Sequence, residues 1–267
     1  MTTPTPEVFV IGAGPVGTAL AMRLSRAGVP VAGIHARRAE QAATAGAAAG
    51  VLGTSGDYPH ILTESDIVIL AVRDHAIAEV ARDLVAHKLT RPEQVLLHCS
   101  GALAAAEALL PARGHVRGLG TLHPLVSFAD AQGAAAALRG ATMVVEGDPA
   151  GRGAARQLAD ALGGRVHEID GAAMPLYHAA AVVVCNYTVA LCDAGAELLV
   201  RAGFPQEQAL PALLPLLAST LRNLSDLGLP RALTGPIARG EVRAVERHLA
   251  ALAREAPELL SLYREAG

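Results

Sequence analysis

Lysine is nearly absent from this chain. Lys88 is the single lysine among 22 basic residues, so any chemistry that needs an amine must use that one side chain or do without. Cysteine is scarce as well. Cys99, Cys185 and Cys192 lie in apolar segments without metal-ligand spacing, which argues against a thiolate metal site and for buried thiols in a reducing, cytoplasmic compartment. His98, His115 and His123 are close in sequence but lack carboxylates or cysteines at ligand spacing, so no metal is expected. Neither charge dominates: 22 basic residues face 25 acidic ones, and no basic stripe exists for a nucleic-acid partner. Long apolar runs are missing too. The most apolar stretch, Ala179 to Val189, is interrupted by Asn186 and is too short to span a bilayer, so no membrane partner is expected. No basic segment precedes the first apolar run, so no signal peptide is expected. Internal repeats and low-complexity linkers are also absent.

What is present begins with apolar content. Over 267 residues, 52% are hydrophobic and 18% charged, which fits a globular protein of one or two domains with ample core. Residues 8–17 read Val-Phe-Val-Ile-Gly-Ala-Gly-Pro-Val-Gly. A β-branched run thus ends in a G-x-G-x-x-G loop of Gly12, Ala13, Gly14, Pro15, Val16 and Gly17, and an Ala/Leu-rich helical pattern follows to Ala27. In that context each glycine has a task. Gly12 permits the tight turn, Gly14 lets backbone approach a pyrophosphate, and Gly17 lets the helix pack on the strand. The helix N-terminus would hold the phosphates, which predicts a dinucleotide site. A site for NAD usually places a carboxylate about 20 residues beyond the glycines. Here that position holds Arg37 and Arg38, and no carboxylate appears before Glu40. A guanidinium pairs with a 2′-phosphate where a carboxylate would repel it, so the expected cofactor is NADP.

Strand-like runs at Val8–Ile11, Val31–His35, Ile67–Val72, Val95–His98, Val116–Leu122 and Ala141–Val145 are separated early on by helical patterns at Pro15–Ala27, Ala39–Ala49 and His75–Ala86. A further pair, Gly151–Leu162 and Arg165–Ile169, closes this alternation. From Met174 onward only helical periodicity remains, over Pro175–Ala202, Gln206–Leu227, Glu241–Ala253 and Pro257–Glu265. The pattern predicts an α/β fold: a doubly wound, Rossmann-like parallel sheet over residues 1–170, followed by a smaller all-α domain over 171–267.

Such sheets bind ligands at the carboxyl ends of their strands. Three segments qualify. In Ala71-Val72-Arg73-Asp74-His75, the first three residues and His75 would line the cofactor crevice, with Asp74 as a helix N-cap. In His98-Cys99-Ser100-Gly101, a hydroxyl and free backbone N–H groups could bind a substrate carboxylate, or Ser100 could simply cap a helix beginning near Leu103. In Leu122-His123-Pro124, the imidazole is placed for proton transfer near neutral pH, or the pair forms only a rigid turn. On the helix from Pro175, His178, Asn186 and Asp193 fall within roughly 80° of one another, a polar stripe that needs partners or water. Lastly, Thr234, Gly235 and Pro236 predict a tight turn, from which Arg239 could hold an anionic substrate or cap a helix.

Taken together, Gly12–Gly17, His98–Gly101, Gly120–Pro124, Tyr177–Ala180 with Asn186, and Leu233–Gly240 resemble a two-domain family of candidate NADP oxidoreductases, a Rossmann-like domain followed by a helical domain of unknown function. The resemblance covers nearly the whole chain, and Thr-Gly-Pro-Ile-Ala-Arg-Gly at 234–240 is its most specific part. It implies kinship with 6-phosphogluconate, hydroxyisobutyrate and prephenate dehydrogenases, ketopantoate reductase and pyrroline-carboxylate reductase. It also implies substrate held between nicotinamide and helical domain, and a homodimer formed through the helices. Some members are thought to act as alternative ketopantoate reductases. Several of those relatives use a lysine on the first long helix as proton donor, with an asparagine one turn on. Here Asn186 could fill the asparagine role, but the position one turn earlier is Val182. His178 is the nearest replacement. His123 is its rival, because prephenate dehydrogenases carry a similar His-Pro whose histidine contacts the reacting oxygen. The expectation is hydride transfer between NADPH and the C=O or C=N of a small anionic substrate. A 2-oxo acid such as ketopantoate is favoured over a cyclic imine or a prephenate-like acid. His123 or His178 would donate the proton, Asn186 and Ser100 would orient the substrate, and Arg239 would contact its carboxylate. A different class of reading, a redox sensor or assembly protein that binds NADP without catalysis, is motivated by the missing lysine.

Overall fold

The computed structural model describes residues 5–266. The chain divides into two compact units, Met1–Ala181 and Val182–Gly267.

The first unit is built on strands β1 (Val8–Ile11), β2 (Val31–His35), β3 (Gly53–Thr54), β4 (Ile67–Leu70), β5 (Val95–His98), β6 (Gly118–Pro124), β7 (Thr142–Gly147) and β8 (Arg165–Glu168). They form one sheet in the order β3-β2-β1-β4-β5-β6-β7-β8. Every neighbouring pair is parallel except β6 and β7, which run antiparallel, so the sheet is mostly parallel. The reversal is not legible because the connection between them, residues 125–141, is long and carries a helix over Ala131–Ala137, as the crossover to a parallel strand would. The helices of this unit are α1 (Pro15–Arg26), α2 (Ala39–Ala49), α3 (Ile61–Glu64), α4 (Asp74–Ala86), α5 (Ala105–Ala108), α6 (Ala131–Ala137) and α7 (Pro149–Leu162), followed by the start of α8 (Met174–Arg201).

Burial on both sheet faces explains the unbroken apolar runs in the central strands. Val8 and Val10 of β1 join one core cluster with Leu20 and Leu24 of α1 and Leu158 and Leu162 of α7. Phe9 and Ile11 point the other way, into a cluster with Leu70, Ile77, Leu84 and Leu109. Side chains that alternate between two covered faces are what a period of two in an α/β sheet requires. Helix ends follow local chemistry. Asp148 accepts a 2.8 Å hydrogen bond from the Gly151 N–H at the start of α7, where Pro149 occupies the first turn. Gly163 ends that helix in the left-handed region at φ 74°.

The sequence order of strands reverses between β1 and β4. The carboxyl ends of strands at such a switch point are the usual ligand position in sheets of this kind.

The second unit is helical: the remainder of α8, then α9 (Gln206–Leu227), α10 (Gly235–Ala238), α11 (Val242–Glu255) and α12 (Leu260–Ala266). Arg201 pairs with Glu197 and with Glu258, tying the end of α8 to the segment before α12. Many large apolar side chains of this unit face outward, among them Val184, Val189, Leu216 and Leu221. Continuity of α8 corrects the length argument drawn from Ala179–Val189. The span Gly171–Arg201 is long and apolar enough to cross a membrane by length and composition. Its most apolar 18-residue window has mean hydropathy 1.5 and is not buried. The expected burial of all three thiols also fails, since Cys185 is exposed.

Candidate functional site

The glycine loop sits at the switch point between β1 and α1. Gly12 has φ 113°, in the region that only glycine adopts easily, and its N–H donates to the His35 carbonyl at 2.8 Å. A Cβ on Gly12 would lie 2.2 Å from the Ala71 carbonyl oxygen, and one on Gly17 would lie 1.9 Å from the Gly12 carbonyl oxygen. Gly14 differs: a Cβ there meets nothing within 4 Å. Space is therefore left open at the glycine expected to admit a pyrophosphate, while the other two are consumed by packing. Gly14 caps α1 without a side-chain hydrogen bond, and Pro15 begins the helix, so first-turn N–H groups are left to a ligand. The loop is braced from behind by Gln41, whose Nε2 donates to the Ala13 carbonyl at 3.0 Å. Val16 is half-buried on the first turn. Arg37 and Arg38 follow β2 and are exposed, and Arg38 reaches Gln41 Oε1 at 3.4 Å. The residues present fit a dinucleotide: a bare backbone cradle at a helix N-terminus, with two guanidinium groups after the second strand.

Ala71 and Val72 pack behind the glycine loop, where Val72 Cγ1 lies 3.2 Å from the Cβ position of Gly12. Arg73 is exposed and is itself the N-cap of α4, in extended conformation and without a side-chain cap. Asp74 is the first helical residue and does not cap; the chain turns one residue earlier than expected.

The ends of β5 and β6 carry a second cluster. His98 and Thr121 are register partners across β5 and β6, and Thr121 and Glu146 are partners across β6 and β7. Three buried polar side chains therefore line up on one face. The Ser100 N–H donates to His98 Nδ1 at 3.1 Å, which makes Nε2 the protonated nitrogen of the neutral ring. Nε2 lies 3.0 Å from Thr121 Oγ1, which donates onward to Glu146 Oε2 at 3.1 Å. Glu146 also accepts from the Ala105 N–H at 2.7 Å. Burial, then the nearby His123, pushes His98 down to about 3, so it is neutral. This network fixes the loop after β5 and corrects two expectations. The Ser100 N–H is committed to His98 and is not free for a carboxylate. Ser100 Oγ accepts from the Ala102 N–H at 3.2 Å and caps no helix, because α5 begins only at Ala105 after Ala104. Neither Thr121 nor Glu146 stood out in the sequence. Each is a polar residue inside an apolar strand, a usable signal, but their alignment depends on the antiparallel register of β7.

Above this network stand His123 and His178. A Cβ on Gly101 would lie 2.8 Å from His123 Nε2 and 2.9 Å from His178 Nδ1, so both imidazoles face the same point of the loop. The ring centroids are 6.2 Å apart, edge to face. His178 Nδ1 is buried without a hydrogen-bond partner, the kind of group a bound ligand satisfies. His123 Nδ1 lies 2.6 Å from the Tyr177 hydroxyl. Burial, reinforced by His178 and opposed by Asp74, holds His123 down at about 4. Burial likewise pushes Tyr177 up to about 12. In the sequence Tyr177 is only part of a motif, because its partner His123 lies 54 positions away.

The remaining residues lie in the second unit. Asn186 and Asp193 are exposed on α8. Thr234 precedes α10 and is exposed, without a side-chain cap. Arg239 ends α10, and its Nε is paired with Glu241 Oε1 at 2.6 Å.

Comparison with known proteins agrees with this fold. Residues 1–124 match the Rossmann-like domain model, and residues 141–267 match a domain of unknown function, DUF2520. A structure from Bacteroides fragilis described as a candidate NADP oxidoreductase is 25% identical. It aligns over 98% of this chain and 96% of its own, with a TM-score of 0.75. An NADH-preferring ketol-acid reductoisomerase from an uncultured archaeon shares the fold, with 19% identity, coverage of 98% and 86%, and a TM-score of 0.70. A glycerol-3-phosphate dehydrogenase [NAD(P)+] from Edwardsiella ictaluri is 34% identical over 116 residues, 39% of this chain and 34% of that enzyme, so the chain spans about a third of that relative. The fold is thus that of NAD(P)-dependent oxidoreductases, and the chain joins a Rossmann-like domain to a domain of unknown function of the DUF2520 family.

Proposed function

We propose that the protein is an NADP-dependent oxidoreductase acting on a C=O or C=N bond of a small anionic substrate, with a 2-oxo acid such as ketopantoate as the favoured class. The observation that carries this reading is the juxtaposition, within one unit, of an open glycine cradle at the switch point and a histidine pair at the ends of neighbouring strands. When bound, the dinucleotide supplies the hydride. Backbone N–H groups of the first turn of α1 hold its pyrophosphate, and Arg37 and Arg38 select the 2′-phosphate. His123, held neutral by burial, donates a hydrogen bond to the reacting oxygen or nitrogen. His178 would give its proton to that same atom, entering as the imidazolium and leaving as the neutral ring. The Ser100 hydroxyl, fixed by the His98 network, orients the substrate. The outward-facing apolar side chains of the helical unit support burial against a second copy of the chain, and with it a homodimer.

Single substitutions His123→Asn and His178→Asn test the assignment. With deuterated NADPH and a panel of 2-oxo acids and cyclic imines, deuterium transfer by the wild type should fall by 100-fold or so in either variant. Normal transfer in both variants would remove the histidines from the mechanism. Binding of NADPH with no transfer to any member of the panel would favour the sensor reading.

A further inference from the structure

We infer that Tyr177 is a positioning residue that fixes His123 as the Nε2–H tautomer, so that an N–H donor, not a lone pair, faces the space beside Gly101. The inference rests on the proposed function for its purpose, but not for its geometry.

The argument begins from the 2.6 Å separation between the Tyr177 hydroxyl and His123 Nδ1. At neutral pH both groups are uncharged, and each has one proton. Two arrangements are then available. Either the phenol donates to Nδ1, leaving the imidazole proton on Nε2, or Nδ1–H donates to the phenol oxygen. A phenol is a good donor and a poor acceptor, because its oxygen lone pair is conjugated with the ring. An imidazole Nδ1 lone pair is a good acceptor. The first arrangement is therefore favoured, and it directs Nε2–H toward Gly101, opposite the unpartnered His178 Nδ1. The edge-to-face contact of the His123 and Tyr177 rings, with centroids 5.5 Å apart, restricts rotation of the imidazole as well. The titratable groups around His123 are His98 on β5, Asp74 at the start of α4, and Tyr177 and His178 on α8. Of these, only Tyr177 bonds to a nitrogen of its ring. A donor at Nε2 can polarise a carbonyl, whereas a lone pair there would repel it. The tyrosine thus sets the sign of the interaction without touching substrate.

The tautomer is read directly by nitrogen-15 NMR of the imidazole, with His123 assigned through the loss of its signals in His123→Asn. The expected wild-type result is a protonated Nε2 and an unprotonated Nδ1 from pH 6 to pH 9. In Tyr177→Phe a mixture of tautomers should replace it, while NADPH affinity stays within about twofold. A predominant Nδ1–H form in the wild type, or an unchanged tautomer in Tyr177→Phe, would overturn the inference. The spectra need no substrate. Failure of the oxidoreductase reading would show as absent dinucleotide binding or absent hydride transfer, and failure of this inference as the wrong tautomer.

Discussion

The hydroxyl of Tyr177 and Nδ1 of His123 are 2.6 Å apart, joining the first turn of a long helix to the end of a sheet strand. The other edge of the same imidazole faces the space beside Gly101, where a Cβ would lie 2.8 Å from Nε2 and 2.9 Å from His178 Nδ1. Gly101→Ala is therefore expected to displace both rings. Turnover should fall at least 10-fold with NADPH affinity retained, measured by steady-state kinetics beside dinucleotide titration. Unchanged turnover would mean that neither imidazole needs its present position.

The three glycines of the first loop separate folding from binding. Gly14→Ala fits the structure, because nothing lies within 4 Å of the new methyl group and φ is −77°. Its melting temperature should match the wild type, while NADPH binding weakens by 10-fold or more. Gly17→Ala drives a methyl group against the Gly12 carbonyl and should lower stability by about 2 kcal/mol or more, seen as a shifted urea midpoint.

Acid sensitivity follows from two buried histidines. His98 and His123 are held at about 3 and about 4, below the value of about 6.5 expected in an unfolded chain. Below pH 6.5 the unfolded chain takes up protons that the folded protein refuses, so stability is fully present above that pH and declines as pH falls toward 4. The loss by pH 4 should be about 3 kcal/mol for each histidine. Urea titrations at a series of pH values should show this slope, and His98→Gln should make it shallower. A slope unchanged by that substitution would remove His98 as its source.

Much of this architecture is legible in the residues themselves. The glycine spacing after Val8–Ile11 and the uninterrupted run at Ile67–Leu70 specify buried parallel strands and a switch-point turn, since both depend on local pattern. β3, with two residues, and the short α5 leave too little periodicity to read. β6 begins at Gly118, two residues later than its apolar pattern suggests, because Val116 packs against the core from the preceding loop. The site divides along the same line. Gly12, Gly14, His123 and His178 announce themselves by motif. The buried row His98–Thr121–Glu146 and the Tyr177–His123 pair exist only through register and long-range contact. The place of Ser100 after a strand is legible, but the commitment of its N–H to His98 depends on how the loop folds back.

Calorimetric titration with NADPH and with NADH, on the wild type and on Arg37→Ala, tests the central claim most directly. Arg37 and Arg38 are exposed after β2. The account predicts that the wild type binds NADPH at least 10-fold more tightly than NADH, and that Arg37→Ala loses most of this preference while its NADH affinity is unchanged. Absence of binding by either dinucleotide would contradict it.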